Sequence, residues 1–182
     1  CGDYLYTGFW RSEESPANFV CLSITDEDPA RTDEEKTACW YWTTPGGYYW
    51  AGAYACEDYV LVGTDDGAES GVNGTSRILS FRKDETRENP VPQALELQEL
   101  GDQRSSLAYS KQTGRVYFTT KGGYLCSAKV DGKTGTLTEL KTCSLSMGSP
   151  STPVYYKGYA YVGTGTGPGP SGGFAIVKEN AQ

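Results

Sequence analysis

Apolar and polar residues alternate in short bursts along this chain, and the bursts recur in one order. Asp3-Tyr-Leu-Tyr-Thr-Gly8, Asp58-Tyr-Val-Leu-Val-Gly63, Gly114-Arg-Val-Tyr-Phe-Thr119 and Gly158-Tyr-Ala-Tyr-Val-Gly163 fit a single template. Each opens on a turn residue, alternates through an aromatic and aliphatic strand, and closes on a small residue. The first strand residues, Tyr4, Tyr59, Arg115 and Tyr159, lie 55, 56 and 44 positions apart. A strand is predicted before three of these, at Tyr48–Tyr54, Ser105–Tyr109 and Ser151–Tyr156. A strand is predicted after each, at Phe19–Ile24, Ile78–Phe81, Tyr124–Lys129 and Phe174–Lys178. A last strand is predicted at Ala38–Trp42, Ala94–Leu100 and Leu137–Leu145. Glycine and Asp/Asn clusters separate the strands, as hairpin turns require, and no long segment shows helical periodicity.

Labelled A to D, the strands run BCD, ABCD, ABCD, ABC. Strand-only repeats of this length point to an all-β fold of consecutive four-stranded antiparallel blades of a β-propeller. The blades span approximately 1–45, 46–101, 102–146 and 147–182. The expectation is an arc of a larger ring of about seven or eight blades, cut from a longer chain. The rival is a compact four-bladed closure. The B–C connections are unequal. Trp10–Asn18, Asp65–Ser76 and Gly165–Gly173 are long, whereas the third blade has only Lys121–Gly123. Insertions at one repeat position fall on one face, which makes that face the expected ligand surface.

Composition narrows the function. The net charge is −7, with 16 Lys plus Arg against 23 Asp plus Glu. That balance speaks against a nucleic-acid backbone and an anionic membrane surface, both of which call for basic patches. No apolar run is long enough for a membrane-spanning helix. Histidine is absent, so a Ser-His-Asp triad, a Cys-His dyad and a His-containing zinc site cannot come from this chain alone.

The six cysteines follow the repeat. Cys21 and Cys126 fall in C strands, Cys39 and Cys143 in D strands, and Cys1 and Cys56 before B strands. The sequence leaves two readings open: Cys21–Cys39 and Cys126–Cys143 disulfides in an oxidising compartment, or small buried hydrophobes. No C-x-x-C spacing is present, which speaks against a zinc ribbon.

Two clusters are candidate sites. All four tryptophans lie in the first 50 residues. Of these residues, Trp10, Tyr48, Tyr49 and Trp50 could form a stacking platform for sugar rings, while Trp40 and Trp42 share one strand face and read as core. Asp65, Asp66, Glu69 and Asn73 could supply oxygen ligands for calcium, but the spacing misses the EF-hand loop and a solvated turn is the plainer reading. The glycine-rich stretch 163–173 lacks Gly-Lys-Ser/Thr and reads as a connector.

Tyr59–Gly67, Lys129-Val-Asp-Gly-Lys-Thr-Gly135 and Ser151–Gly163 resemble the PQQ-like, quinoprotein-type propeller repeat. Tyr48–Tyr54, Arg104–Tyr109 and Tyr117–Tyr124 are similar to propellers in large secreted or wall-attached proteins of Gram-positive gut bacteria. The resemblance implies an extracellular or cell-wall location, further blades and domains in a longer parent chain, and a glycan or protein ligand. It carries over no catalytic residue. Quinoprotein dehydrogenases hold their quinone over a vicinal disulfide, and no Cys-Cys pair occurs here, so PQQ is not expected. The leading expectation is therefore a non-catalytic binding module without a cofactor. A propeller glycan lyase or hydrolase with carboxylates at the pore is the alternative, although a sialidase Asp-box is absent. A structural spacer is the third reading.

Overall fold

A computed structural model describes residues 1–8, 17–25, 30, 38–44, 47–48, 52–65, 74–85, 90–165 and 172–179. Among these residues there is no helix, and fourteen strands form four antiparallel sheets. The first sheet is β1 (Tyr4–Gly8), β2 (Ala17–Ser23) and β3 (Ala38–Thr44). The second is β4 (Tyr54–Cys56), β5 (Tyr59–Gly63), β6 (Thr75–Arg82) and β7 (Gln93–Gln98). The third is β8 (Ala108–Ser110), β9 (Arg115–Thr119), β10 (Tyr124–Val130) and β11 (Leu137–Ser144). The fourth is β12 (Val154–Tyr156), β13 (Tyr159–Thr164) and β14 (Gly173–Lys178). Every sheet is a meander whose spatial order is its chain order, since strands consecutive in sequence tend to pair. The succession BCD, ABCD, ABCD, ABC is the one expected from the repeats.

The sheets pack face upon face, and the period of two explains how. On β5, Tyr59 and Leu61 pack toward the third sheet with Ile78 and Leu97, against Leu107, Val116, Phe118 and Ala128. Between them in sequence, Val60 and Val62 join Leu79 and Phe81 against Phe19, Trp40 and Tyr48 of the first sheet and the turn after it. β5 and β9 are therefore buried along their whole lengths, as strands covered on both faces must be. A third cluster, with Tyr117, Leu125 and Leu145 against Ala160 and Val162, joins the third sheet to the fourth. Fully burying one such aliphatic side chain is worth about 1.5–3 kcal/mol, so these three seams hold the sheets together.

The A strands lie later and are shorter than expected: Tyr54–Cys56, Ala108–Ser110 and Val154–Tyr156. The reason is where the preceding small polar residues direct their hydrogen bonds. Ser105 Oγ accepts the Thr119 N–H at 2.9 Å, and Thr119 Oγ1 donates to the Ser149 carbonyl at 2.7 Å. Gly52 N–H donates to Ser106 Oγ at 3.2 Å, and Ser106 N–H donates to Thr152 Oγ1 at 3.1 Å. Gly52, Ser106 and Thr152 each stand two residues before an A strand. One repeat position thus bonds in series from sheet to sheet, at the cost of pairing within a sheet.

The cysteines need a correction. Cys126 pairs with Phe118 and Cys21 with Tyr6. These partners are one residue apart in the B-strand template, so the two thiols leave opposite faces of their sheets. Cys143 pairs with Leu125, one place from Cys126. It packs in the seam to the fourth sheet, while Cys126 is buried in the seam to the second. A Cys126–Cys143 disulfide would have to pass through the sheet, and its geometry is excluded.

Candidate functional site

A cleft opens between the second and third sheets, with a volume of about 960 Å³. One wall is β4 and the turn after it, carrying Tyr54 and Glu57. The other is formed by Tyr109, Lys111, Lys129 and the loop from Asp131 to Thr136. At its base Tyr54 and Tyr109 stack with ring centroids 5.4 Å apart and planes at 27°. Each belongs to an edge strand of its sheet, Tyr54 to β4 and Tyr109 to β8. Burial raises the Tyr54 phenol above its ordinary range, with Cys56 and Tyr109 adding to the effect. The phenol is therefore neutral at physiological pH.

The rim is held by its own hydrogen bonds. Asp131 Oδ1 accepts the Lys133 and Thr134 N–H groups at 2.9 and 3.2 Å. Those backbone donors hold the Asp131 carboxyl below its ordinary value, so it stays an acceptor. The loop is tied across to the second sheet by Asp58 N–H to the Gly132 carbonyl at 3.1 Å, and by Gln93 to Thr134 and Thr136. Gly135 has φ +73° and lies so close to the Tyr59 ring that a Cβ would overlap it. Only glycine meets both demands. The result is a preformed cleft with an aromatic base and a rim of three lysines, two carboxylates and threonine hydroxyls.

A second cleft, of about 470 Å³, lies between the third and fourth sheets. Two of its lining residues, Ser127 and Glu179, bind buried Arg115, whose Nε lies 3.1 Å from Ser127 Oγ and 3.7 Å from Glu179. Tyr117 stacks on Tyr155 at 4.9 Å between centroids. These contacts tie the third and fourth sheets together beside the cleft.

Of the ligand- and metal-site residues expected from sequence, only Tyr48 and Asp65 are described. Trp10, Tyr49, Trp50, Asp66, Glu69 and Asn73 lie outside the described residues. Tyr48 is 4% exposed and packs 5.5 Å from the Phe19 ring. It lies over Gly8, where a Cβ would fall 2.6 Å from the tyrosine Cβ. A side chain so enclosed offers no face for stacking a ligand. Asp65 is 7% exposed, and its N–H donates to the Gly47 carbonyl at 2.8 Å. Among the described residues no group of three or more His, Cys, Asp or Glu could hold a metal ion. Tyr54, Tyr109, Lys111 and Lys129 escaped the sequence reading because they come from two repeats and meet only across a seam. The Asp131-Gly-Lys-Thr-Gly135 run was the one local sign of a shaped loop there.

The Asp131 and Glu139 carboxyls are both held down, Glu139 chiefly by Lys129 at 3.2 Å. Burial pushes the Cys126 thiol up to about 12. The sequence matches no protein-family model, and neither a curated protein nor a solved structure matches the chain.

Proposed function

We propose that this chain is a non-catalytic extracellular binding module that takes a polyhydroxylated ligand, a glycan segment, in the cleft between the second and third sheets. The observation that carries the reading is the cleft itself. It pairs a stacked Tyr54–Tyr109 base with a rim of carboxylates, lysines and threonine hydroxyls. Sugars present apolar ring faces to aromatic side chains and hydroxyls to such a rim, and the volume lies within the range of small-ligand sites.

The four sheets are, in the same proposal, consecutive blades of a quinoprotein-like β-propeller within a longer chain. The serial bonding of Gly52, Ser106 and Thr152 supports this, because equivalent inner-edge residues bond in turn when blades are arranged about one axis. The fourth sheet adds support. Its Phe174 and Tyr159 are 67% and 36% exposed, while their repeat equivalents Ile78 and Tyr59 are buried against the next sheet. A further blade would cover them.

Binding of neutral oligosaccharides, followed by calorimetry, tests the reading with the parent chain and with Tyr109→Ala and Trp10→Ala variants of unchanged melting temperature. Loss of binding in Tyr109→Ala alone supports the cleft. Loss in Trp10→Ala alone moves the ligand to the B–C loops. No binding to any glycan overturns the carbohydrate reading.

A further inference from the structure

The first sheet carries a feature that ligand binding does not use. In the ladder between β2 and β3, Cys21 pairs with Trp40 and Leu22 pairs with Ala38, so Cys39 is the extra residue of a β-bulge. A bulge re-aims the side chain of its extra residue. Here it brings Cys39 to the face that holds Cys21, Trp40 and, from β1, Tyr6. The Cys21 thiol lies within side-chain hydrogen-bond reach of both Cys39 and the Tyr6 hydroxyl. Access to the two sulfurs differs sharply, since Cys39 is exposed and Cys21 is 1% exposed.

We propose that Cys21 and Cys39 close an intrachain disulfide by exchange with a small-molecule disulfide of the glutathione class. The Cys39 thiolate attacks one sulfur of the external disulfide, forming a mixed disulfide and expelling one small thiolate. Cys21 then gives its proton to solvent and attacks the Cys39 sulfur, and the second small thiolate leaves. Two protein thiols are oxidised by two electrons, and one external disulfide is reduced to two thiols. The order follows from structure. Cys39 is the sulfur a solvent-borne reagent can reach, whereas burial pushes the Cys21 thiol up to about 11 and makes it a poor first attacker. Once the mixed disulfide forms, its electrophilic sulfur is already beside Cys21.

No equivalent step is open to the related pair. Cys126 and Cys143 leave opposite faces of the third sheet, and that ladder shifts register only beyond them, between Ser127 and Lys129.

The test is incubation of the chain in an oxidised and reduced glutathione buffer, then denaturation, alkylation and peptide mapping by mass spectrometry. The expected result is a Cys21–Cys39 linked peptide lighter by two hydrogen atoms, with four of the six cysteines alkylated. Dithiothreitol should restore all six. Six alkylated cysteines after exchange, or a linkage that joins either residue to another cysteine, would overturn the proposal. Cys21→Ser adds a second readout, because a Cys39 with no resolving partner should accumulate as the stable glutathione adduct. Absence of that adduct also counts against the proposed order. The wild-type map decides the pairing even if this variant folds poorly.

Discussion

Tyr117, on the third sheet, donates its hydroxyl to Glu179, just past the last strand of the fourth, at 2.6 Å. Thr113 Oγ1 lies 3.1 Å from the same hydroxyl, and Arg115 reaches Glu179 at 3.7 Å. One phenol thus helps latch two sheets across a seam that the Arg115–Glu179 pair and apolar packing also hold. Tyr117→Phe keeps the ring and its stack on Tyr155 but removes the donor. The expected loss is about 1.5 kcal/mol, the low end for a hydrogen bond to a charged group, since Glu179 retains Arg115. Urea unfolding measures it. A change below about 0.5 kcal/mol, the scale of an ordinary surface substitution, would show that the latch contributes nothing.

Ile78 and Phe174 occupy the same repeat position, opposite the equivalent B-strand glycines Gly63 and Gly163. Ile78 is wholly buried, and Phe174 is 67% exposed. Ile78→Ala should therefore cost about 2–5 kcal/mol through lost burial and a cavity. Phe174→Ser in this chain should stay within about 0.5 kcal/mol. Denaturation midpoints of the two variants make the comparison, and similar losses at both sites would contradict the assignment of their faces.

Gly63 meets the buried Gln103 carboxamide so closely that a Cβ would overlap it. Gly158, by contrast, has φ +85° and open space around its Cβ direction. Gly63→Ala should destabilise by about 1–3 kcal/mol through overpacking, and by less in a Gln103→Ala background, where the obstacle is gone. Gly158→Ala should cost about 1 kcal/mol from the left-handed backbone alone, with no dependence on Gln103. A double-mutant cycle read by thermal melting separates the two causes. Equal Gly63→Ala losses in both backgrounds would remove the steric explanation.

Burial raises the Cys21 thiol to about 11 and the Cys126 thiol to about 12 from an ordinary value of 9.0. Desolvation also raises the phenols of Tyr6 and Tyr117. Above about pH 9 the unfolded chain releases these thiol protons while the folded chain retains them, so the unfolded state binds fewer protons. Stability is then complete below pH 9 and falls as pH rises toward 11 and 12. Each fully coupled thiol contributes up to about 1.4 kcal/mol per pH unit. Urea midpoints under reducing conditions at about pH 8 and about pH 10.5 should show the fall, and Cys126→Ala should flatten it. A midpoint that holds or rises would sink the account.

Much of the fold was legible because its information is local. The B strands, from Tyr4, Tyr59, Arg115 and Tyr159, begin where alternation and turn residues place them, since a pleated strand displays its two faces in sequence. The A strands were misplaced because Gly52, Ser106 and Thr152 bond from sheet to sheet, and no local pattern reveals a partner about fifty residues away. The candidate cleft was illegible for the same reason. Tyr54 and Lys129 carry no mark of each other until the second and third sheets pack.

The amino-acid sequence by itself determined the all-β character, the number and order of the strands and their grouping into four sheets, because alternation and hairpin turns act over a few residues. Tertiary structure alone decided which face of each strand is interior, and so which aromatics are core and which cysteines meet. The physical reason is the two-residue period. A single-residue shift or bulge sends a side chain to the other face, which parts Cys126 from Cys143 and brings Cys39 to Cys21.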